Sequence, residues 1–154
     1  MPAGAEDERI DDASTSFTPT LAVFHCRWCL PDSDYVRSLL PDEAHDDSVL
    51  LQLSCTARLE AEFAIKAFAE GYDGVLVLGC ELGECHYRNG NLLALRRLSV
   101  LKSVLTLSGI YPERLGFYWV SPFDEDATRS CIDEFFEGVC KVGSFVSSAV
   151  WSKS

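Results

Sequence analysis

No apolar run in this 154-residue chain approaches the roughly 18–20 residues that a membrane-spanning helix needs, and the first twenty residues carry neither the basic nor the apolar segment of an export signal. The expectation is a protein that stays in the cytoplasm. Basic residues are scarce: 13 Lys and Arg stand against 24 Asp and Glu, giving a formal net charge of −11 and a pI near 4.6. An acidic surface attracts neither nucleic acid nor anionic lipid, so the partners to expect are proteins. The chain also lacks a Ser-His-Asp order, a glycine-rich phosphate loop and paired carboxylates in a catalytic frame; GYDG (71–74) and GNLLAL (90–95) do not satisfy a dinucleotide fingerprint. Nothing in these motifs supplies substrate chemistry of its own.

What the chain does have is apolar content, 47% of residues with 11% aromatics, which at this length is enough for one packed core. The opening MPAGAEDERIDDASTSFTPT holds five acids against one arginine and predicts a disordered or loosely attached leader over 1–20. One domain over 21–143 and a C-terminal tail over 144–154 complete the expected organisation. Four apolar runs, LAVFH (21–25), SVLLQLS (48–54), DGVLVLG (73–79) and LGFYWVS (115–121), are apolar on both parities, the pattern of strands covered on two faces. Helical patterns lie between them, which predicts an α/β fold: a small open parallel sheet of about four strands flanked by helices, in a Rossmann-like or flavodoxin-like three-layer arrangement.

Those helices can be placed. After the second run, Ala61, Ala64, Ile65 and Phe68 share one face, Glu62, Lys66 and Glu70 the opposite one, and Gly71 ends the element. After the third, Asn91 is a candidate N-cap for a helix striped by Leu98, Leu101 and Leu105 and closed by Gly109 and Pro112. Asp124 is a candidate cap for a last helix with Cys131, Ile132, Phe135, Phe136, Val139 and Cys140 at threes and fours, where the two cysteines read as ordinary buried small residues. Between Cys26 and Ser48, two prolines and six acids predict a long loop with one helical turn at DYVRSLL.

Seven cysteines remain to be explained, an odd number that argues against complete disulfide pairing; without an export signal, thiols are better read as metal ligands or redox groups. Cys26, Cys55 and Cys80 each follow an apolar run, and Cys29 and Cys85 join them through CRWC and CELGEC. In a parallel sheet the residues after successive strands gather along one rim, where α/β proteins bind ligands. Five thiols on one rim point to a soft-metal site, an iron-sulfur cluster or zinc. The spacings C-x2-C and C-x4-C both occur in plant-type [2Fe-2S] proteins, and four thiolates suffice for one such cluster, leaving one spare. His25 and His86 each adjoin a cysteine and could tune hydrogen bonding to sulfur, or replace a thiolate. Two alternatives stay open: a zinc-stabilised interaction module, and a thiol-disulfide protein working through Cys26 and Cys29.

At FHCRWC, QLSCTARLEAEFAIKAFAEGYDGVLVLGC, GECHYRNGN, ALRRL and YPERL the chain resembles the iron-sulfur delta subunit family of methyl-viologen-reducing hydrogenases, which also associates with heterodisulfide reductase. The resemblance implies an electron-transfer subunit with one [2Fe-2S] cluster on Cys26, Cys29, Cys55, Cys80 and Cys85. It also implies relay between a hydrogenase or formate dehydrogenase and the flavin subunit of a heterodisulfide reductase, in a flavin-based bifurcating anaerobic complex; similar subunits occur in benzoyl-CoA reductase complexes. The chain departs from the family at Arg27, where Asn is usual, at Thr56 and Ala57, where Ser-Gly is usual, and at Glu81 and Leu82, where His-Pro is usual. These departures alter what surrounds the thiols and leave the thiols in place. Separately, His86 through Pro112 holds no acid but has Arg88, Arg96, Arg97 and Lys102, a candidate docking strip for an acidic partner.

Overall fold

The computed structural model describes residues 17–30, 32–81, 85, 88–121 and 123–145. Most of the expected leader, the tail from residue 146 and His86 lie outside the described residues. Four strands form one parallel sheet: β1 (Leu21–Cys26), β2 (Val49–Leu53), β3 (Gly74–Cys80) and β4 (Leu115–Val120), in the order β2-β1-β3-β4. Helices α1 (Ser33–Leu39), α2 (Ala61–Ala69), α3 (Gly90–Leu107) and α4 (Glu125–Val142) flank it. This is the expected three-layer α/β architecture.

Alternation along the strands builds the two cores. Leu21, Val23, Leu76 and Leu78 face α1 and α4, meeting Val36, Leu39, Ile132, Phe135 and Val139; Ala22, Phe24, Val75 and Val77 face α2 and α3, meeting Ala64, Phe68, Leu98, Leu101 and Leu105. The central strands β1 and β3 are buried along their whole length, so their apolar runs on both parities are explained. β2 is not: as an edge strand it is only half-buried, with Leu51 and Gln52 exposed, which corrects the expectation that both its faces are covered. Its neighbour α2 buries Ala64, Ala67 and Phe68 but leaves Ala61 and Ile65 exposed, because among the described residues no further strand extends the sheet beneath that side of the helix.

The path from β1 to β2 runs outward on the α1 side, and the path from β2 to β3 returns past β1 on the α2 side, as right-handed crossovers require. The sheet order therefore reverses between β1 and β3, and the carboxyl ends of these two strands frame a crevice. The opposite end of the sheet is tied by polar bonds. Asp73, 5% exposed, accepts from the Thr20 N–H (2.9 Å), the Thr20 hydroxyl (3.2 Å) and the Phe145 N–H (2.7 Å), while Arg114 donates to the Asp73 carbonyl (2.8 Å) and stacks on the Phe145 ring. Thr20 and Phe145, which the sequence assigns to leader and tail, are thus packed against the domain; Phe145 lies edge-on to Phe68.

The connection after β1 is more ordered than the expected loop with one turn: α1 has seven residues capped by Asp32, and a 3-10 turn follows at Asp42–Ala44. Asp124 caps α4 as expected, its carboxylate accepting from the Ala127 N–H at 3.0 Å.

Candidate metal centre

Cys26 ends β1 and Cys80 ends β3, so adjacent parallel strands deliver both side chains to the crevice, their sulfurs 3.6 Å apart. The CRWC turn folds Cys29 back beside them, closed by the Leu30 N–H donating to the Cys26 carbonyl at 2.9 Å. The three sulfurs lie within 4.8 Å of one another and all three residues are buried. Two thiolates on one tetrahedral metal, each about 2.3 Å from it, stand about 3.8 Å apart, so this spacing suits a shared soft metal.

Cys55 and Cys85 complete the rim. Cys55 follows β2 and is buried, Cys85 is half-buried, and both sulfurs crowd the start of α3: a Cβ placed on Gly90 would lie 2.2 Å from Cys55 Sγ and 3.3 Å from Cys85 Sγ. Glycine is required there for the sulfurs to come so close to the backbone. All five thiols expected at the rim therefore occupy it, three as a tight group and two as a neighbouring pair. Cys131 and Cys140 stand apart on α4, their charged neighbours being Glu134, Glu137 and Glu43. Cys140 is exposed and Cys131 half-buried, which corrects their reading as buried core residues; the helix turns its Ile132–Phe135–Val139 stripe to the sheet instead.

The electrostatics of the group favour a bound cation. Cys26 is held well below the usual thiol range by its interaction with the neighbouring Cys29 and Cys80 thiols, and those two are raised in return, so negative charge on a second sulfur is opposed. Burial pushes the Cys55 thiol up, partly offset by the Ala57 N–H that points at its sulfur from 3.5 Å. A positive metal relieves this mutual repulsion. A cleft of about 320 Å³ opens beside Cys29 and Cys80, lined also by the exposed Trp28 and Phe123. The apolar groove of about 390 Å³ between β2 and α2 has no thiol on its wall.

Three residues hold this arrangement in ways the sequence does not announce. His25, fully buried, sets Nδ1 2.7 Å from the Leu30 carbonyl and Nε2 2.8 Å from the Ser33 hydroxyl. Burial lowers its pKa, so the neutral ring donates from Nδ1 and accepts at Nε2. It braces the CRWC turn against α1 and makes neither bond to sulfur. Asn91 lies inside α3, not at its cap, which is Asn89; its amide donates to the Cys80 carbonyl at 2.7 Å and the Glu81 carbonyl at 3.0 Å. Gly90 supplies the space just described. The repeated Asn and Gly of RNGN were the available signal, and the capping preference of asparagine masked it.

Residues 21–143 match the family described as methyl-viologen-reducing hydrogenase, delta subunit. The chain belongs to that family. Among individual relatives of this delta-subunit member, the iron-sulfur subunit of the F420-non-reducing hydrogenase of Archaeoglobus profundus is 34% identical over 132 residues, covering 86% of this chain and 96% of that protein. The vhc iron-sulfur subunit of F420-non-reducing hydrogenase from Methanococcus voltae is 28% identical over 128 residues, or 83% and 89% of the two chains. One chain of the ferredoxin/F(420)H(2)-dependent CoB-CoM heterodisulfide reductase of Methanosarcina acetivorans is 32% identical over 131 residues, 85% of this chain but only 16% of that protein. A delta-subunit domain is therefore a near-complete chain in the first two and a small part of a longer chain in the third.

Proposed function

We propose that this chain is an electron-transfer subunit carrying one [2Fe-2S] cluster on four of the thiols Cys26, Cys29, Cys55, Cys80 and Cys85. In this reading it works in the cytoplasm within a multi-subunit anaerobic complex. It passes electrons between a hydrogenase, formate dehydrogenase or reductase module and a heterodisulfide reductase-like flavin subunit. The observation that carries the proposal is the buried trio of sulfurs within 4.8 Å at the switch point of the sheet, with a second thiol pair against Gly90. The residues fit the group: thiolate donors, burial and an adjoining cleft are what an iron-sulfur site needs. When bound, such a cluster takes up and gives back single electrons without making or breaking bonds in a substrate.

The chain's own contribution is to hold and to tune. Cys26 and Cys80 are placed by central strands that cannot move without disrupting both cores, and Asn91 and His25 fix the two loops that carry the sulfurs. The Ala57 N–H directed at Cys55 Sγ stabilises negative charge on that sulfur, which raises the potential of a bound cluster. The partner assignment is supported by relatives that carry the same domain within one much longer polypeptide of a CoB-CoM heterodisulfide reductase, since domains joined in one chain work side by side. The basic strip supports a docked partner in trans: Arg88, Arg96 and Arg97 are exposed, Lys102 partly so. A thiol-disulfide role finds less support, because Cys26 and Cys29 are each 2% exposed and a redox dithiol needs one accessible sulfur.

The test is anaerobic purification of the full chain with iron, acid-labile sulfide and zinc determined on the same sample. Iron and sulfide in equal amounts, visible charge-transfer absorption and an electron paramagnetic resonance signal on reduction are the expected result. Stoichiometric zinc in colourless protein would overturn it.

A further inference from the structure

Helix α3 is apolar on two sides, and among the described residues only one of them is covered by the domain. Ala94, Leu98, Leu101 and Leu105 are buried against the sheet, yet Leu93, Val100, Val104 and Leu107 are 38%, 66%, 51% and 90% exposed. At 3.6 residues per turn these four exposed residues, with Arg96 on one side and Arg97 on the other, fall within an arc of about 100°. Lys102 lies about 200° round the helix from Val104 and lines a cleft with Pro112, Glu113 and Glu134. The linear strip of four cations is thus divided by the helix: two arginines flank an apolar seam, and Lys102 belongs elsewhere. Large apolar side chains recurring at threes and fours on an open helix face mark a packing surface for another element.

We propose, resting on the reading of the chain as part of a larger complex, that this seam of α3 seats a partner segment with apolar side chains flanked by carboxylates. Charge selects the occupant. The stretch from residue 86 to 112 has no acid in a chain of net charge −11, so the seam is a local positive field that favours an acidic partner. A second copy of this chain is disfavoured, because a two-fold contact through the seam would bring four arginines together. An anionic membrane is disfavoured by the negative charge of the rest of the molecule. Apolar contact gives the seam permanence, and the flanking arginines give it register.

The position is also apt. The first turn of α3 holds Cys80 through Asn91 and backs Cys55 at Gly90, and Arg97 donates to the Ala57 carbonyl at 2.6 Å. A partner on the seam therefore lies along the helix that shapes the thiol site.

The experiment places a photoreactive benzoylphenylalanine at Val104 of the full chain, expressed in its native host, and maps crosslinks in the anaerobically purified complex by mass spectrometry. A crosslink to a different protein of the complex, in a peptide where Asp or Glu flanks apolar residues, is expected. The companion variant Val104→Asp is expected to lower recovery of that protein by about tenfold or more, since it buries a charge against a carboxylate-flanked surface. A crosslink to a second copy of this chain, or none to protein while the complex is intact, overturns the proposal. Iron measured on the same sample separates the two readings: an iron-loaded chain without the crosslink sinks the seam alone, and an iron-free chain with it sinks the cluster alone.

Discussion

Cys26 and Cys80 are 54 residues apart in the chain and 3.6 Å apart at their sulfurs, because they terminate the two central strands between which the sheet reverses its order. Everything proposed about the site follows from that meeting, and it makes the cysteines unequal in a testable way. Replacing Cys26, Cys29 or Cys80 with serine is expected to lower iron retention, since each removes one sulfur of the tight group, except where the residue replaced is the one spare thiol among the five at the rim. Replacing Cys131 or Cys140 is expected to leave the iron-to-protein ratio unchanged, as both sit on α4 beside carboxylates. Colorimetric iron determination on folded, anaerobically purified variants checks both halves.

Gly90→Ala inverts an ordinary expectation. Alanine in a helix is favoured over glycine by about 1 kcal/mol, and no left-handed backbone angle forbids it here. The added Cβ would nevertheless lie 2.2 Å from Cys55 Sγ, so the sulfur must leave the rim or the helix must shift. Lower iron content, or an altered paramagnetic spectrum, is expected, with no gain in stability from the alanine; a variant loaded and spectroscopically identical to the parent would show the close approach to be dispensable.

Asn91→Ala removes the amide that satisfies the Cys80 and Glu81 carbonyls. Removing a donor from the buried Cys80 carbonyl costs about 1–3 kcal/mol. Because that carbonyl belongs to a thiol residue, the midpoint potential should move as well, which a purely structural loss elsewhere would not produce. Redox titration followed by absorbance, beside urea denaturation, separates the two effects.

His25→Ala strips the Leu30 carbonyl and the Ser33 hydroxyl of their shared partner. A cost of about 1–3 kcal/mol is expected from buried groups left unpaired, with faster loss of iron to a chelator because the CRWC turn is no longer braced. Equal chelation half-lives for variant and parent would refute the bracing role.

Asp73→Ala tests the far end of the sheet. It removes the acceptor for the Thr20 and Phe145 N–H groups and should destabilise the fold by about 1.5–3 kcal/mol, the range for hydrogen bonds to a charged group. Iron per folded chain should not change, since Asp73 precedes β3 at the end opposite the thiols.

The sequence by itself determined the class of fold, the four strands within a residue or so at each end, the Asp124 cap and the main apolar stripes of the later helices, and the placing of five cysteines after strands. Those features are local: burial on two faces writes an apolar run, a helix writes its period, and a thiol after a strand must lie at that strand's carboxyl end. Only the tertiary structure decided which strand lies at the edge, and hence that β2 and the outer side of α2 stay open, because strand order is set by crossovers that no local pattern encodes. It also decided what Asn91, Gly90 and His25 do. Each acts on a group brought to it from elsewhere in the chain, so its role exists only once β1, β3 and α3 have converged. The same holds for α3, whose stripe against the sheet was legible in advance. Its second, exposed stripe gained meaning only when the core was seen to leave it uncovered.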